Sequence, residues 1–217
     1  MDELKICVVG LGYVGLPVLL AANEKFYAVG IDINKNRLQE LTQKFDSNGE
    51  HNDLPELALT SDISDCTHCN VFIITVPTPI RKDKTPDLSA LVNASDLVSK
   101  VLKAGDLVIY ESTVYPGATE EICIPILLKS GLNYPNEFMV GYSPERINPG
   151  DKVNQFKNIT KVISGSSYEA VDLMERIYGA MIDAKLHKTE TIKEAEAAKV
   201  IENTQRDVNV ALINQFS

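Results

Sequence analysis

Three glycines, Gly10, Gly12 and Gly15, stand directly behind the apolar run Ile6 to Val9. Their spacing is G-x-G-x-x-G at the point where a strand ends and a helix begins, and it constrains the fold more than any other feature of the chain. Gly10 allows the tight turn, Gly12 lets the backbone come close to a pyrophosphate, and Gly15 lets the new helix press against the sheet. The N–H groups that open the helix, with its dipole, favour an anion there. A second apolar run, Tyr27 to Ile31, ends at Asp32, about twenty residues further on, where a carboxylate can accept both ribose hydroxyls of an adenosine. This is the pattern of a dinucleotide site, and an acid at position 32 favours NAD over NADP. Arg37, on the following helix, is placed to contact the adenosine side, which weakens that preference.

Beyond this unit, short β-rich runs alternate with helical stretches. Strands are expected near 4–9, 27–31, 71–76, 106–110, 137–141, 160–164 and 183–187, with helices near 13–24, 34–44, 87–103, 117–130 and 167–180. Such alternation predicts an α/β fold, a Rossmann-like, doubly wound, mostly parallel sheet covered on both faces. Ligands in that architecture bind beyond the carboxyl ends of the strands. Three of those ends carry polar groups: Thr78 in Pro77-Thr78-Pro79, Thr113 in Glu111-Ser-Thr-Val-Tyr-Pro-Gly117, and Glu145 and Arg146 in Ser143-Pro-Glu-Arg-Ile-Asn-Pro-Gly150. Taken singly, each reads as turn punctuation; together they are expected to face one crevice.

The last thirty residues have a different pattern. Thr191 and Glu194 form a capping box, and a helix is expected from about 192 to the final residue. Ala195, Ala198, Ile201 and Val208 give it a narrow apolar stripe. Lys199 and Asn203, four apart, share one face with Arg206 close by.

Composition excludes several classes of function. A formal net charge of −9 argues against a nucleic-acid partner, because duplex binding rests on a basic face. No apolar run reaches the roughly 18 residues of a membrane helix and no charged-then-apolar leader opens the chain, so no membrane partner and a cytoplasmic location are expected. Cys66-Thr-His-Cys69 has metal-ligand spacing, but no second pair follows, and no metal site is assigned.

Gly10-Leu-Gly-Tyr-Val-Gly-Leu-Pro17, Val76-Pro-Thr-Pro79, Glu111-Ser-Thr-Val-Tyr-Pro-Gly117, Ser143-Pro-Glu-Arg-Ile-Asn-Pro-Gly-Asp151 and Glu196-Ala-Ala-Lys-Val-Ile-Glu-Asn203 follow one another across essentially the whole chain. In that order they resemble the UDP-glucose/GDP-mannose dehydrogenase family. The resemblance implies an NAD-dependent enzyme that oxidises the C6 alcohol of a nucleotide sugar to a carboxylate, through an aldehyde and a cysteine thioester. It implies NAD contacts from Gly10, Gly12, Tyr13, Val14, Gly15, Asp32, Arg37, Thr78 and Thr113. It implies substrate contacts from Arg146, Ile147, Lys199, Asn203 and Arg206. Lys199 and Asn203 would stabilise an oxyanion at C6, Glu145 would activate water against the thioester, and Thr113 would position that water.

The family's nucleophile is a cysteine in a Gly-rich G-x-C-x-P-K-D stretch, and none of the four cysteines here stands in such a setting. The resemblance therefore implies an NAD-binding domain over 1–188 and, over 189–217, the start of a long central helix that builds a homodimer. A C-terminal UDP-sugar domain carrying the cysteine would lie outside this chain. Arg-Ile-Asn-Pro-Gly after Glu145 is similar to the branch that oxidises UDP-N-acetylglucosamine or UDP-N-acetylgalactosamine for capsule, O-antigen or Vi-type polysaccharide, where UDP-glucose enzymes carry a different sequence. UDP-glucose remains the alternative substrate. A 6-phosphogluconate or hydroxyacyl type of dehydrogenase shares the Gly-rich start without the later motifs, and a non-catalytic NAD-binding or redox-sensing module is the alternative of another class.

Overall fold

The computed structural model describes residues 3–48, 54–146 and 156–216. Eight strands form one sheet: β1 (Lys5–Val9), β2 (Tyr27–Ile31), β3 (Ala58–Thr60), β4 (Val71–Ile74), β5 (Leu107–Tyr110), β6 (Met139–Tyr142), β7 (Lys161–Gly165) and β8 (Leu186–Lys188). Their order is β3-β2-β1-β4-β5-β6-β7-β8, and every neighbouring pair is parallel except β6 with β7. The strand order reverses between the neighbours β1 and β4, which in an open α/β sheet is where a ligand crevice opens.

Period-two alternation divides the buried strand residues between two cores. Ile6, Val8, Val71, Ile73, Leu107 and Ile109 face α1 (Gly15–Asn23) and α5 (Tyr168–Met181). Cys7, Val9, Phe72, Ile74, Val108 and Tyr110 face α3 (Ser89–Ser99) and α4 (Ile124–Leu127). Because both faces are covered, the strands read as continuous apolar runs rather than alternating ones. α2 (Lys35–Thr42) follows β2 and is capped by Asn34, whose side chain accepts from the N–H groups of Asn36 and Arg37.

The expected elements are present within a few residues of their predicted limits; the differences are a short 3-10 helix (Ile63–Cys66) before β4, an added strand and a broken helix. β3 was not expected: it is three residues long and lies at the sheet edge, too short to show a period. The helix expected near 117–130 is broken into a π-turn (Thr119–Cys123), α4 and a 3-10 turn (Leu128–Ser130). Pro125 cannot donate a backbone hydrogen bond there.

The final helix, α6 (Ile192–Phe216), begins with the capping box in place: the Glu194 N–H donates to Thr191 Oγ1 at 3.2 Å and the Thr191 N–H to Glu194 Oε2 at 3.3 Å. Its first turns pack on β6, β7 and the π-turn. Ala195 and Glu196 are buried, whereas Ile201, Val208, Leu212, Ile213 and Phe216 are exposed. The predicted apolar stripe is thus covered only at its N-terminal end. No helix among the described residues is long and apolar enough to cross a membrane.

Candidate functional site

The turn after β1 is shaped by contacts that only glycine permits. A Cβ at Gly15 would lie 1.8 Å from the Gly10 carbonyl oxygen and 2.5 Å from Thr75 Oγ1, so this residue is where helix and loop meet. A Cβ at Gly12 would meet nothing within 4 Å; it would project into open space. Gly10 has φ +92°, in the region that favours glycine. No side chain caps α1; the Leu16 N–H donates to the Gly12 carbonyl at 3.1 Å and Pro17 has none, so an anion at this helix start would be met by the backbone of the turn that opens it.

In front of this turn lies a crevice of about 710 Å³, walled by Gly10, Gly12, Asp32, Arg37, Thr75 and Pro77 among others. Asp32 is fixed by two backbone donors, Leu11 N–H to Oδ2 at 2.7 Å and Asn34 N–H to Oδ1 at 2.8 Å. Each carboxylate oxygen keeps a further lone pair for a ligand hydroxyl. An open backbone, an uncapped helix start and a fixed carboxylate at the end of β2 together fit the pyrophosphate and ribose of a dinucleotide.

Thr78 and Thr113 do not wall this crevice but are joined to each other, the Thr78 hydroxyl donating to the Thr113 carbonyl. Ser112 Oγ donates to the Val76 carbonyl at 2.6 Å and Tyr142 Oη to the Ser112 carbonyl at 3.1 Å, so the exits of β4, β5 and β6 are tied side by side. Of the other residues implicated by the sequence, Tyr13 is about half exposed and Val14 is buried.

A second group of polar residues forms at the ends of β5, β6 and β7. Glu111, 1% exposed, takes the Lys161 ammonium on Oε2 at 2.8 Å and the Tyr178 hydroxyl on Oε1. Glu145 Oε2 lies 3.7 Å from the same ammonium, and Glu145 Oε1 accepts the Arg146 N–H at 2.6 Å. Two buried carboxylates therefore share one buried lysine. Burial raises Glu111 above the usual carboxylate range, with Lys161 opposing the shift and Glu145 adding to it. Burial alone would lower Lys161, but Glu111 and Glu145 more than offset it, and the ammonium keeps its proton.

α6 brings the remaining residues to the same strand ends. Lys199 is half-buried, and burial lowers its ammonium below the ordinary value; Glu202 and Glu145 oppose this, while Arg206 and Arg146 add to it. Glu202 Oε1 bridges Arg146 at 3.2 Å and Arg206 at 3.5 Å, which links the loop after β6 to α6. Asn203 lies on the same helix, partly exposed. Ile147 lies outside the described residues.

Three residues of this constellation escaped the sequence reading. Lys161, inside an ordinary β-run, and Tyr178, inside a helix, carry no motif; Glu111 opens a quoted motif in which only Thr113 is assigned a role. Glu196 is the other omission: its buried carboxylate accepts the N–H groups of Gly117 and of Thr119 at 2.9 Å, pinning α6 to the loop that carries Thr113. The one available signal was a Glu at an otherwise apolar helix position. Cys7, Cys66 and Cys69 are buried free thiols, and the described residues contain no cluster able to hold a metal ion.

The UDP-glucose/GDP-mannose dehydrogenase family model for the NAD-binding domain matches residues 4–182. The chain is 55% identical to UDP-N-acetyl-D-glucosamine 6-dehydrogenase of Pseudomonas aeruginosa, over 100% of its own length and 53% of that protein. It is 51% identical to the enzyme of the same name from Salmonella typhi, over 100% of its length and 52% of that protein. A solved UDP-D-ManNAc dehydrogenase from Pyrococcus horikoshii superposes with TM-score 0.85 at 34% identity, covering 98% of this chain and 53% of that one. The chain thus spans about half the length of the curated relatives it matches. With the Gly-rich turn, the carboxylate at the end of β2 and the doubly wound sheet all present, the chain belongs to the UDP-glucose/GDP-mannose dehydrogenase family, and residues 4–182 are its NAD-binding domain.

Proposed function

We propose that this chain is the cofactor-binding part of a cytoplasmic, NAD-dependent UDP-N-acetylhexosamine 6-dehydrogenase serving surface-polysaccharide synthesis. The observation that carries the reading is the pairing of Arg146, which follows Glu145, with Glu202 of α6 at 3.2 Å, which sets the helix turn that carries Lys199 against the end of β6. The identity to UDP-N-acetyl-D-glucosamine 6-dehydrogenases supports the substrate class.

NAD, when bound, supplies the hydride acceptor. Gly10, Gly12, Gly15, Tyr13 and Val14 would hold it along the opening turn of α1, Asp32 and Arg37 at its adenosine, and Thr78 and Thr113 at the nicotinamide end. Lys199 would carry the cation that faces an oxyanion at C6 of the sugar, with Asn203 as a fixed dipole beside it. Its partial desolvation strengthens that interaction, because charges attract more strongly where water is excluded. Glu145 would take the proton from the attacking water in the hydrolytic step, and Thr113 would position that water. Arg146, Ile147 and Arg206 would contact the nucleotide sugar. The thiol nucleophile would come from a segment beyond residue 217, and the exposed Ile201, Val208, Leu212 and Ile213 of α6 would be covered in a homodimer.

The test is to assay the whole protein that contains this chain, with UDP-N-acetylglucosamine, UDP-N-acetylgalactosamine and UDP-glucose, following reduced NAD. Turnover of an acetylated sugar with two reduced NAD per sugar is expected. Exclusive turnover of UDP-glucose would replace the substrate class, and NAD binding without turnover of any sugar would leave a non-catalytic module.

A further inference from the structure

Arginine beside the ribose site is the residue that accommodates a 2′-phosphate in NADP-binding proteins of this architecture. Arg37 stands in that place: it lies in the first turn of α2, five residues after Asp32, and walls the same crevice. By position alone it would blunt the discrimination that Asp32 provides. Its side-chain partners argue otherwise.

The guanidinium is committed elsewhere. Nε donates to the Leu11 carbonyl at 2.8 Å, and Nη1 meets Asp46 Oδ1 at 2.8 Å and Glu40 Oε2 at 3.4 Å. The Arg37 side chain is 9% exposed and that of Asp46 1%, so the closer pair is hidden from water and weakly screened. Ser47 Oγ donates to the same Glu40 oxygen at 2.7 Å, and the Asn48 N–H donates to Asp46 Oδ1 at 3.2 Å, which holds this loop against the start of α2. Glu40, Ser47 and Asn48 also wall the crevice.

From this geometry we infer that Asp46, with Glu40, is a specificity-determining residue: it occupies the cation that would otherwise recognise a 2′-phosphate, and makes the site select NAD. The inference rests on the NAD-binding reading of the crevice. A 2′-phosphate, with a charge of about −2, would meet Asp32 and Glu40 in the crevice wall, with Asp46 behind them holding the one guanidinium already paired. A neutral 2′-hydroxyl meets no such penalty and finds a fixed acceptor in Asp32. Arg37 Nη2 is buried and without a hydrogen-bond partner among the described residues, so as the side chain stands it too is out of reach of a phosphate in the crevice.

Calorimetric titration of the 217-residue chain with NAD and with NADP tests this. Asp46→Asn keeps shape and hydrogen-bonding capacity while removing the charge, and is expected to lower the ratio of the NADP to the NAD dissociation constant about tenfold, the equivalent of 1.4 kcal/mol. Glu40→Gln, at a more exposed position, is expected to move the ratio the same way by about threefold, and it reads the ratio alone should Asp46→Asn melt below the titration temperature. An unchanged ratio in both variants, with both nucleotides weakened alike, would overturn the inference by showing the pair to be structural only. Failure of the unsubstituted chain to bind NAD would overturn the cofactor reading itself, and the inference with it.

Discussion

The crevice in front of α1 and the cluster around Lys161 both lie beyond the carboxyl ends of the strands, yet they are assembled differently. In the crevice the working groups are backbone N–H groups and a carboxylate, and the contacts that fix them join residues 21 and 26 apart. In the cluster they are side chains from β7, from the exits of β5 and β6, and from two helices, with Glu111 reaching Lys161 and Tyr178 across 50 and 67 residues. The crevice is kept open by covalent geometry, since a glycine has no Cβ to fill it, at an entropic cost of about 0.5–1 kcal/mol per ordered glycine. The cluster hides two carboxylates and one ammonium, which are stable only as a set. At the Gly-rich turn, which is backbone, the fold fails on added volume; in the cluster it fails on the loss of a charge.

The sharpest break of that contrast is Lys161→Met. It leaves Glu111 and Glu145 buried without their cation and is expected to cost about 3–5 kcal/mol, read from urea unfolding. Adding Glu111→Gln should recover part of the loss. A cost below about 1 kcal/mol would mean that the cluster is not held by charge.

Within the crevice two neighbouring glycines should separate. Gly15→Ala forces a Cβ against the Gly10 carbonyl and is expected to cost about 1–3 kcal/mol and to remove measurable NAD binding. Gly12→Ala meets no atom of the chain, so stability should stay within about 0.5 kcal/mol while NAD affinity falls. Equal destabilisation by the two would contradict the assignment of Gly12 to the ligand and Gly15 to packing.

Asp32→Ala should weaken NAD about tenfold to a hundredfold, the worth of one charged hydrogen bond to a ribose hydroxyl, with calorimetry as the check.

The smallest effect on the fold belongs to Lys199. Burial depresses its ammonium, so the folded state binds that proton less well than the unfolded one. The penalty is fully present below the folded-state value and fades as pH rises towards the ordinary 10.5. Lys199→Ala should therefore leave the melting temperature of the chain unchanged or raised near pH 7. Any advantage should shrink at alkaline pH. In the whole protein the same change should slow sugar oxidation with little loss of NAD affinity. Equal loss of both would contradict its proposed role.

How much was legible follows the same division. The strand-to-helix turn and the capping box of α6 are local, each set by residues within a few positions of one another, and both elements form where the pattern places them; Asp32 follows from the apolar run of β2 that ends just before it. β3 was missed because three residues at an edge carry no period, and the broken helix after Thr119 because a π-turn has no sequence signature of its own.

By itself the sequence determined the βαβ opening, the parallel sheet and the family, because glycine spacing, hydrophobic period and motif order are properties of the chain. Only the tertiary structure decided that Lys161 is shared by Glu111 and Glu145, that Glu196 pins α6 to the Thr113 loop, and that Arg37 is held by Asp46. These partners are brought together by sheet order and burial, and a charged side chain in a strand or helix looks the same in sequence whether water or a buried carboxylate surrounds it.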